Sequence, residues 1–340
     1  MASEPRPTLK TIAKLAGLAV PTVSRALSGA EDIGKATRER VRQIADEIGY
    51  VPNRAGVRLR TGRTHVISLV LSTEADVMNL TARLINAAAA ALRNTSYHLT
   101  ITPYFPDEDP MRPLRHVVET RAADAVILNQ VQPEDPRVKY LMDREFPFAT
   151  HGRTNLADQH AYYDFDNYTF GSLATEALAA QGRTTLRVLA PPIEQNYAQE
   201  MIAGARTAAK ASNIDLTVFR SINSDDPSDK IHTHVADLFR SGSPIDGIIF
   251  GSANSCMAAV TGIEEAGLTV GRDIDLFSKE AIPFLQRFRP AILSQKEDAW
   301  SAGGFLAQAA IERIEQPDKP LMQFLEVPGQ TLPVYSAATV

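Results

Sequence analysis

Residues 8–29 read TLKTIAKLAGLAVPTVSRALSG, and this stretch decides the fold of the N-terminal part of the chain. Apolar residues recur at spacings of three and four along a first predicted helix: Leu9, Ile12, Ala13 and Ala16. Thr8 stands where an N-cap is needed, and Gly17 predicts the turn that follows. A second short helix is predicted from near Pro21, a residue tolerated in a first helical turn, to Leu27. Two short helices joined by a tight turn are typical of a helix-turn-helix.

A third predicted helix completes a small apolar core. Its apolar positions are again three and four residues apart: Val41, Ile44, Ala45 and Ile48. Gly49 is well placed to end this helix, because glycine adopts a left-handed backbone at little cost. Residues 1–50 therefore predict an all-α domain.

Charge is distributed unevenly along the 340 residues. Residues 1–64 contain 12 lysine and arginine residues against 6 acidic ones, a net charge of +6, whereas the remainder has 23 against 34, a net charge of −11. A polyanion is attracted to the basic end and repelled by the rest. This asymmetry favours nucleic-acid binding at the N-terminal end.

Beyond residue 64, short apolar runs alternate with amphipathic stretches. The predicted strands cover residues 66–71, 99–102, 125–128, 146–149, 186–189, 216–218, 247–250 and 274–277. The predicted helices cover residues 80–93, 170–180, 198–211, 255–266 and 299–314. Such alternation predicts an α/β domain with parallel sheets, and so many strands fit two lobes with a ligand cleft between them.

Several classes of protein are not indicated by the sequence. The apolar runs are far shorter than the ~20 residues that cross a bilayer, and the first residues lack the apolar run of a secretion signal. The single Cys256 cannot form an internal disulfide, so we expect a reducing cytoplasm. His232 and His234 fall on different faces of a helix, which disfavours a shared metal. Without a phosphate loop or a nucleophile-elbow motif, we expect neither an enzyme nor a cofactor.

The stretch quoted above resembles the helix-turn-helix of the LacI/GalR repressor family. The resemblance continues without a gap through KATRERVRQIADEIGYVPNRAGVRLRTGRT, residues 35–64. Further segments, such as ADAVILNQVQ and IDGIIFGSANS, resemble the periplasmic-binding-protein-like core of the family. The resemblance covers nearly the whole chain. It implies a helix-turn-helix domain over residues 1–50, a hinge helix or linker over 51–64 and a two-lobed ligand-binding and dimerisation domain over 65–340.

The resemblance also implies how the second helix reads DNA. Its base-reading residues would be Val20, Pro21 and Arg25. A guanidinium can donate two hydrogen bonds to guanine O6 and N7, although Arg25 could instead pair with a phosphate or an acidic side chain. Val20 and Pro21 stand where the family commonly has polar side chains, so the operator sequence does not follow by analogy. The residues implied to contact the DNA backbone are Thr8, Thr22, Ser24 and Asn53.

The hinge region carries the family's apolar wedge as Leu59, which would enter the minor groove and bend the DNA. Two hinge helices packed at a dyad imply a homodimer on a pseudo-palindromic operator. Gly56, where the family usually has alanine, lowers helix stability by about 1 kcal/mol and makes hinge folding more dependent on DNA. The alternative interpretation of this region is a flexible basic linker.

The expected effector-binding residues are Thr73, Leu80, Thr81, His151, Asp166, Tyr197, Asn254 and Glu280. Carboxylates and amides suit hydroxyl groups, which favours a sugar or polyol. Met201 stands where the family usually has an arginine, so an acidic ligand loses an anchor and a neutral ligand is favoured. Glu280 could instead be a surface carboxylate, and Tyr197 could serve packing alone.

These features predict a sequence-specific DNA-binding transcription regulator, a repressor of a carbohydrate-utilisation operon that a sugar or polyol inducer releases. Its expected partners are double-stranded operator DNA, the effector and a second copy of the chain. In one alternative the ligand acts as a co-repressor. In another the chain is a solute-binding protein, against which the N-terminal DNA-binding features argue.

Overall fold

The computed structural model describes residues 7–51, 56, 58, 61–73, 80–105 and 107–329. The chain divides into two compact units, Met1–Thr64 and His65–Val340. Asn53 and Leu59, predicted to contact DNA, lie outside the described residues. Within the described ranges, no helix has both the length and the apolar character needed to cross a membrane.

The N-terminal unit contains α1 (Leu9–Ala16), α2 (Val20–Leu27) and α3 (Lys35–Glu47). Thr8 caps α1 as predicted, because its hydroxyl accepts a hydrogen bond from the Thr11 N–H. The three helices share a core of small and branched apolar side chains: Ile12, Ala13, Ala16, Val23, Ala26, Val41 and Ala45. The predicted all-α helix-turn-helix fold is confirmed.

The second unit is an α/β structure. Its strands are β1 (Val66–Ser72), β2 (His98–Tyr104), β3 (Ala125–Leu128), β4 (Phe148–His151), β5 (Ala161–Phe165), β6 (Thr185–Leu189), β7 (Asp215–Val218), β8 (Gly247–Phe250), β9 (Asp275–Glu280), β10 (Leu293–Lys296) and β11 (Gln323–Glu326). Its helices are α4 (Leu80–Ala91), α5 (Met111–Glu119), α6 (Pro136–Met142), α7 (Asn167–Ala180), α8 (Asn196–Ala211), α9 (Ser228–Arg240), α10 (Ala253–Glu265), α11 (Leu285–Phe288) and α12 (Ala299–Glu315).

Two parallel sheets form the two lobes of this unit. The first lobe has the strand order β11-β5-β4-β3-β1-β2, and the second has the order β10-β9-β8-β6-β7. Every strand pair is parallel, and apolar clusters lie between the strands and helices of each lobe. The predicted two-lobed α/β class is confirmed.

The chain passes from the first lobe to the second at Asp166, directly after β5, and returns at Glu297, directly after β10. Because all strands are parallel, each sheet has one edge at which its strand carboxyl ends meet. Ligands of open α/β sheets bind at such edges. The two crossings therefore lie beside the place where this fold positions a site.

Candidate functional site

The exposed face of α2 is the first candidate site. Val23 and Ala26 are buried against α1 and α3, whereas Pro21 and Arg25 are exposed. Val20 is half-buried and packs against the same core. The helix thus presents Pro21 and Arg25 to solvent. Val20 packs partly against the core and is partly exposed on the face predicted to read DNA.

Arg25 forms an ion pair with Asp32, and the two side chains are 58% and 49% exposed. Exposed ion pairs of this kind contribute only about 0–1 kcal/mol. The guanidinium therefore has the acidic partner considered as an alternative, and breaking this pair costs little free energy.

Three of the residues predicted to contact the DNA backbone lie within the described part of the N-terminal unit. Thr22 and Ser24 are half-buried on α2, and the Thr8 hydroxyl is already engaged at the N-terminus of α1. Gly34 precedes α3 and provides no side-chain cap. Thr8 can thus meet a phosphate only by sharing its capping hydroxyl.

The second candidate site is the interlobe cleft, a cavity of about 90 Å³ between the two lobes. The first lobe and the crossings line it with Ser72, Leu80, Thr81, Asn129, Gln130, His151, Gly152, Asp164, Asn167 and Glu297. The second lobe lines it with Pro191, Tyr197, Ser224, Asp225, Gly251, Ser252 and Lys279. Most of these residues stand at or just after the carboxyl end of a strand, as the topology requires.

Four of the predicted effector residues belong to this lining: Leu80, Thr81, His151 and Tyr197. Four others do not: Thr73, Asp166, Asn254 and Glu280. In each of these four cases a residue one or two positions away lines the cleft instead: Ser72, Asn167, Ser252 and Lys279. The resemblance thus points to segments that line the cleft, but four of its predicted residues lie outside the lining.

Glu280 is the clearest correction. Its buried carboxylate accepts hydrogen bonds from the N–H groups of Phe284 and Leu285, at 3.0 and 2.9 Å, and from the Ser294 hydroxyl at 2.6 Å. Successive side chains of a strand point to opposite faces, so Lys279 faces the cleft and Glu280 faces away from it. Glu280 holds the loop before α11 rather than a ligand.

Asp166, Asn254 and Thr73 have other local roles. Asp166 caps α7 by accepting hydrogen bonds from the Thr169 N–H at 2.9 Å and the Thr169 hydroxyl at 2.7 Å. The Asn254 amide lies 3.5 Å from the Ser228 hydroxyl. The Thr73 N–H donates to the Tyr104 carbonyl. Asp166 thus serves its own helix, whereas Asn254 and Thr73 contact neighbouring elements of the fold.

A buried ion pair lies at the carboxyl ends of the neighbouring strands β9 and β10, beside the point where the chain returns to the first lobe. Lys279 Nζ lies 2.8 Å from Glu297 Oε2 and 2.9 Å from Asn167 Oδ1, and the Lys279 and Glu297 side chains are 7% and 5% exposed. Glu297 Oε2 has no polar contact other than the Lys279 ammonium among the described residues. This oxygen therefore keeps acceptor capacity toward the cleft.

His151 continues this network on the first lobe. Its Nδ1 lies 3.2 Å from Asn129 Oδ1, and its Nε2 lies 3.7 Å from Glu297 Oε1. Burial lowers the pKa of His151 in spite of the nearby Glu297 carboxylate. The imidazole is thus neutral at neutral pH and offers a ligand either a donor or an acceptor.

Asp164, Arg153 and Glu200 form a second cluster of ionisable side chains between the lobes. The Asp164 carboxylate lies 2.6 Å from Arg153 Nε, and the same guanidinium lies 3.0 Å from the Glu200 carboxylate on α8. Burial, and after it the charge of Glu200, raises the pKa of Asp164 to about 7, although Arg153 opposes the shift. Asp164 is therefore partly protonated near neutral pH.

Asp225 is the cleft carboxylate without an ion pair among the described residues. It accepts a hydrogen bond from the Ser224 hydroxyl at 2.9 Å and lies 3.4 Å from the Gln130 amide. Burial raises its pKa. A buried, weakly paired carboxylate gains strongly from ligand hydroxyl donors.

The cleft therefore suits a neutral ligand rich in hydroxyl groups. The sequence interpretation missed Asn129, Gln130, Asp164, Asn167, Asp225, Lys279 and Glu297. Polar residues directly after predicted apolar strands, such as Asn129 after β3, were the available signal. In the described part of the chain, no group of three or more histidine, cysteine or acidic side chains is arranged to hold a metal ion.

Comparison with known proteins matches both units. Residues 8–53 match bacterial regulatory proteins of the lacI family, and residues 71–284 match the periplasmic binding protein domain. The HTH-type transcriptional regulator AglR of Rhizobium meliloti (strain 1021) is 28% identical, over 92% of this chain and 89% of AglR. A transcriptional regulator CelR–cellobiose complex has a TM-score of 0.68 at 22% identity, covering 96% of this chain and 99% of that one. A lac repressor dimer bound to operator and the anti-inducer ONPF has a TM-score of 0.81 at 18% identity, covering 95% and 97%.

Proposed function

Because this chain belongs to the LacI family of bacterial regulatory proteins, we propose that it represses transcription as a homodimer bound to operator DNA in the cytoplasm. A sugar or polyol in the interlobe cleft releases it. One observation carries this proposal: a basic helix-turn-helix unit and a two-lobed unit with a polar interlobe cleft occur in one chain.

On the DNA side, α2 enters the major groove, and Arg25 exchanges Asp32 for a guanine. Pro21 and the accessible part of Val20 contact thymine methyl groups. Thr8, Thr22, Ser24 and Asn53 fix the register on the phosphates, and Leu59 supplies the minor-groove wedge. Of these residues, Asn53 and Leu59 rest on the family resemblance alone.

On the ligand side, Asp225 and the free acceptor capacity of Glu297 receive hydroxyl hydrogen bonds, while Asn129 and Gln130 donate. The ring of Tyr197 offers an apolar face for a sugar ring. Lys279 is already paired with Glu297, so the cleft has no free cation for an acidic ligand there. The cellobiose named for the CelR complex is a ligand of this chemistry.

The position of the site between the lobes couples ligand binding to operator binding. A ligand that contacts both lobes favours a closed arrangement, and the operator affinity changes by the same factor as the ligand affinity. We expect release of DNA. A co-repressor would instead raise the operator affinity.

One experiment tests both parts of the proposal. The purified protein selects its operator from a random double-stranded DNA library, and a thermal-shift screen of sugars and polyols, beginning with cellobiose, identifies the ligand. We expect a recovered pseudo-palindrome and a stabilising sugar that weakens operator binding, with Asp225→Asn losing the shift but not the DNA binding. A selection that recovers no common sequence would contradict the DNA-binding proposal, and failure of every sugar to stabilise the protein would contradict the ligand proposal.

A further inference from the structure

A second cavity lies at the edge of the second lobe and shares no lining residue with the interlobe cleft. Its volume is about 460 Å³, and it follows β7, the outermost strand of that sheet. This size is within the range of small-molecule sites.

Three arginines from three separate elements line this cavity. Arg187 comes from β6, Arg206 from α8 and Arg220 from the loop that follows β7. No carboxylate lines this cavity, whereas the adjoining groove, which Arg206 and Arg220 also line, includes Glu194 and Asp226. Within the described part of the chain, none of the three guanidinium groups has a hydrogen bond or an ion pair.

This concentration of positive charge contrasts with its surroundings. Residues 65–340 carry a net charge of −11, and neighbouring cations have acidic partners. Lys230 pairs with Asp226 at 2.7 Å in an adjoining groove, and Arg240 pairs with Glu265 at 3.1 Å. Arg206 and Arg220 are exposed and Arg187 is half-buried, so water screens part of their mutual repulsion, and a bound anion neutralises the remainder.

The same cavity has an apolar wall. The rings of Phe219 and His234 meet edge to face with their centroids 5.9 Å apart, and the half-buried Leu238 lies beside them. The Ser221 hydroxyl lies 3.4 Å from His234 Nε2. A ligand here has an apolar surface to pack against as well as cations to bind.

We propose that this cavity binds a small organic phosphate monoester. Guanidinium groups match phosphate oxygens with paired, charge-assisted hydrogen bonds, and arginine is preferred over lysine for this geometry. The phosphate lies among Arg187, Arg206 and Arg220, and the organic part packs against Phe219 and His234. This site is additional to the cleft, so the protein takes two ligands of different chemistry.

Isothermal titration calorimetry tests the proposal with glucose 6-phosphate, adenosine monophosphate and inorganic phosphate at one fixed salt concentration. We expect at least one ester to bind more tightly than inorganic phosphate. The double variant Arg206→Gln/Arg220→Gln should raise its Kd at least about tenfold. The control variant Arg93→Gln/Arg112→Gln removes the same charge from exposed arginines of the first lobe and should leave the Kd unchanged.

Equal thermal unfolding midpoints establish that both double variants are folded. Four results would overturn the proposal: no binding of either ester, equal affinity for inorganic phosphate, the same loss in the control variant, or a loss in Asp225→Asn alone, which would place the ester in the cleft. Arginine-dependent binding of a hexaglutamate peptide without binding of the esters would also overturn it, in favour of an acidic partner chain at the edge of β7.

Discussion

The face of α2 and the interlobe cleft use polar residues in opposite ways. On α2 the apolar residues make the core, and Arg25 is left exposed with one loosely held partner. In the cleft the polar residues are themselves buried, and Lys279 and Glu297 form an ion pair that is almost inaccessible to solvent. Stability and recognition are therefore separable on α2, whereas the same side chains serve both in the cleft.

The largest effect is expected from breaking the buried pair. Lys279→Met leaves Glu297 buried without its cation, and we expect the free energy of unfolding to fall by about 3–5 kcal/mol. Urea denaturation of the second unit measures this change. The double variant Lys279→Met/Glu297→Gln should recover most of the loss, because no uncompensated charge remains. If Lys279→Met were as stable as the parent protein, the buried pair would not stabilise the fold, and the cleft would not differ from α2 in this respect.

A smaller effect, on recognition alone, is expected from Arg25→Ala. Its exposed pair with Asp32 contributes little, so the unfolding midpoint should hardly move. Discrimination between the selected operator and a sequence changed at the guanine should fall by about 1–3 kcal/mol. Competition binding measures the ratio of the two affinities. An unchanged ratio would show that Arg25 contacts phosphate rather than a base.

The third effect concerns pH and sharpens the description of the cleft. The pKa of Asp164 is raised to about 7, so between about pH 4 and pH 7 the native state holds a proton that the unfolded chain has lost. This group makes the free energy of unfolding fall as pH rises through that window, by at most about 1.4 kcal/mol per pH unit.

Asp164→Asn removes this contribution, and stability curves at several pH values measure the difference from the parent. Burial raises the pKa of Glu326 to about 7 as well, so the further change Glu326→Gln should flatten the profile again. Identical profiles for Asp164→Asn and the parent would mean that Asp164 is ionised throughout the window.

Much of the fold followed from apolar periodicity. The three N-terminal helices and eight of the strands were predicted close to their observed positions. Three strands were missed, namely β5, β10 and β11, because polar residues such as Asp164 and Glu326 interrupt their apolar pattern. Those residues are polar because they belong to buried hydrogen-bonded networks, which periodicity does not register.

The side chains that face outward could be predicted from the sequence for α2 but not for the cleft. The face of α2 follows from helical spacing once Val23 and Ala26 are assigned to the core. The cleft depends on strand register, and an error of one residue exchanges the two faces. Glu280 was expected to bind ligand because of the family resemblance, which does not show which face of a strand a residue occupies, and Lys279, its neighbour in β9, was overlooked.

The two lobe crossings have a consequence for how such a protein diverges. Asn167 and Glu297 line the cleft and also stand where the chain passes between the lobes. A substitution at Asn167 or Glu297 that admits a new effector also alters a crossing about which the two lobes move relative to each other. A substitution at either position therefore changes both ligand specificity and the response to the ligand. Gln130 and Asp225 contact each other across the cleft, so a change of effector that preserves the response should first accumulate at Asn129, which stands at neither crossing.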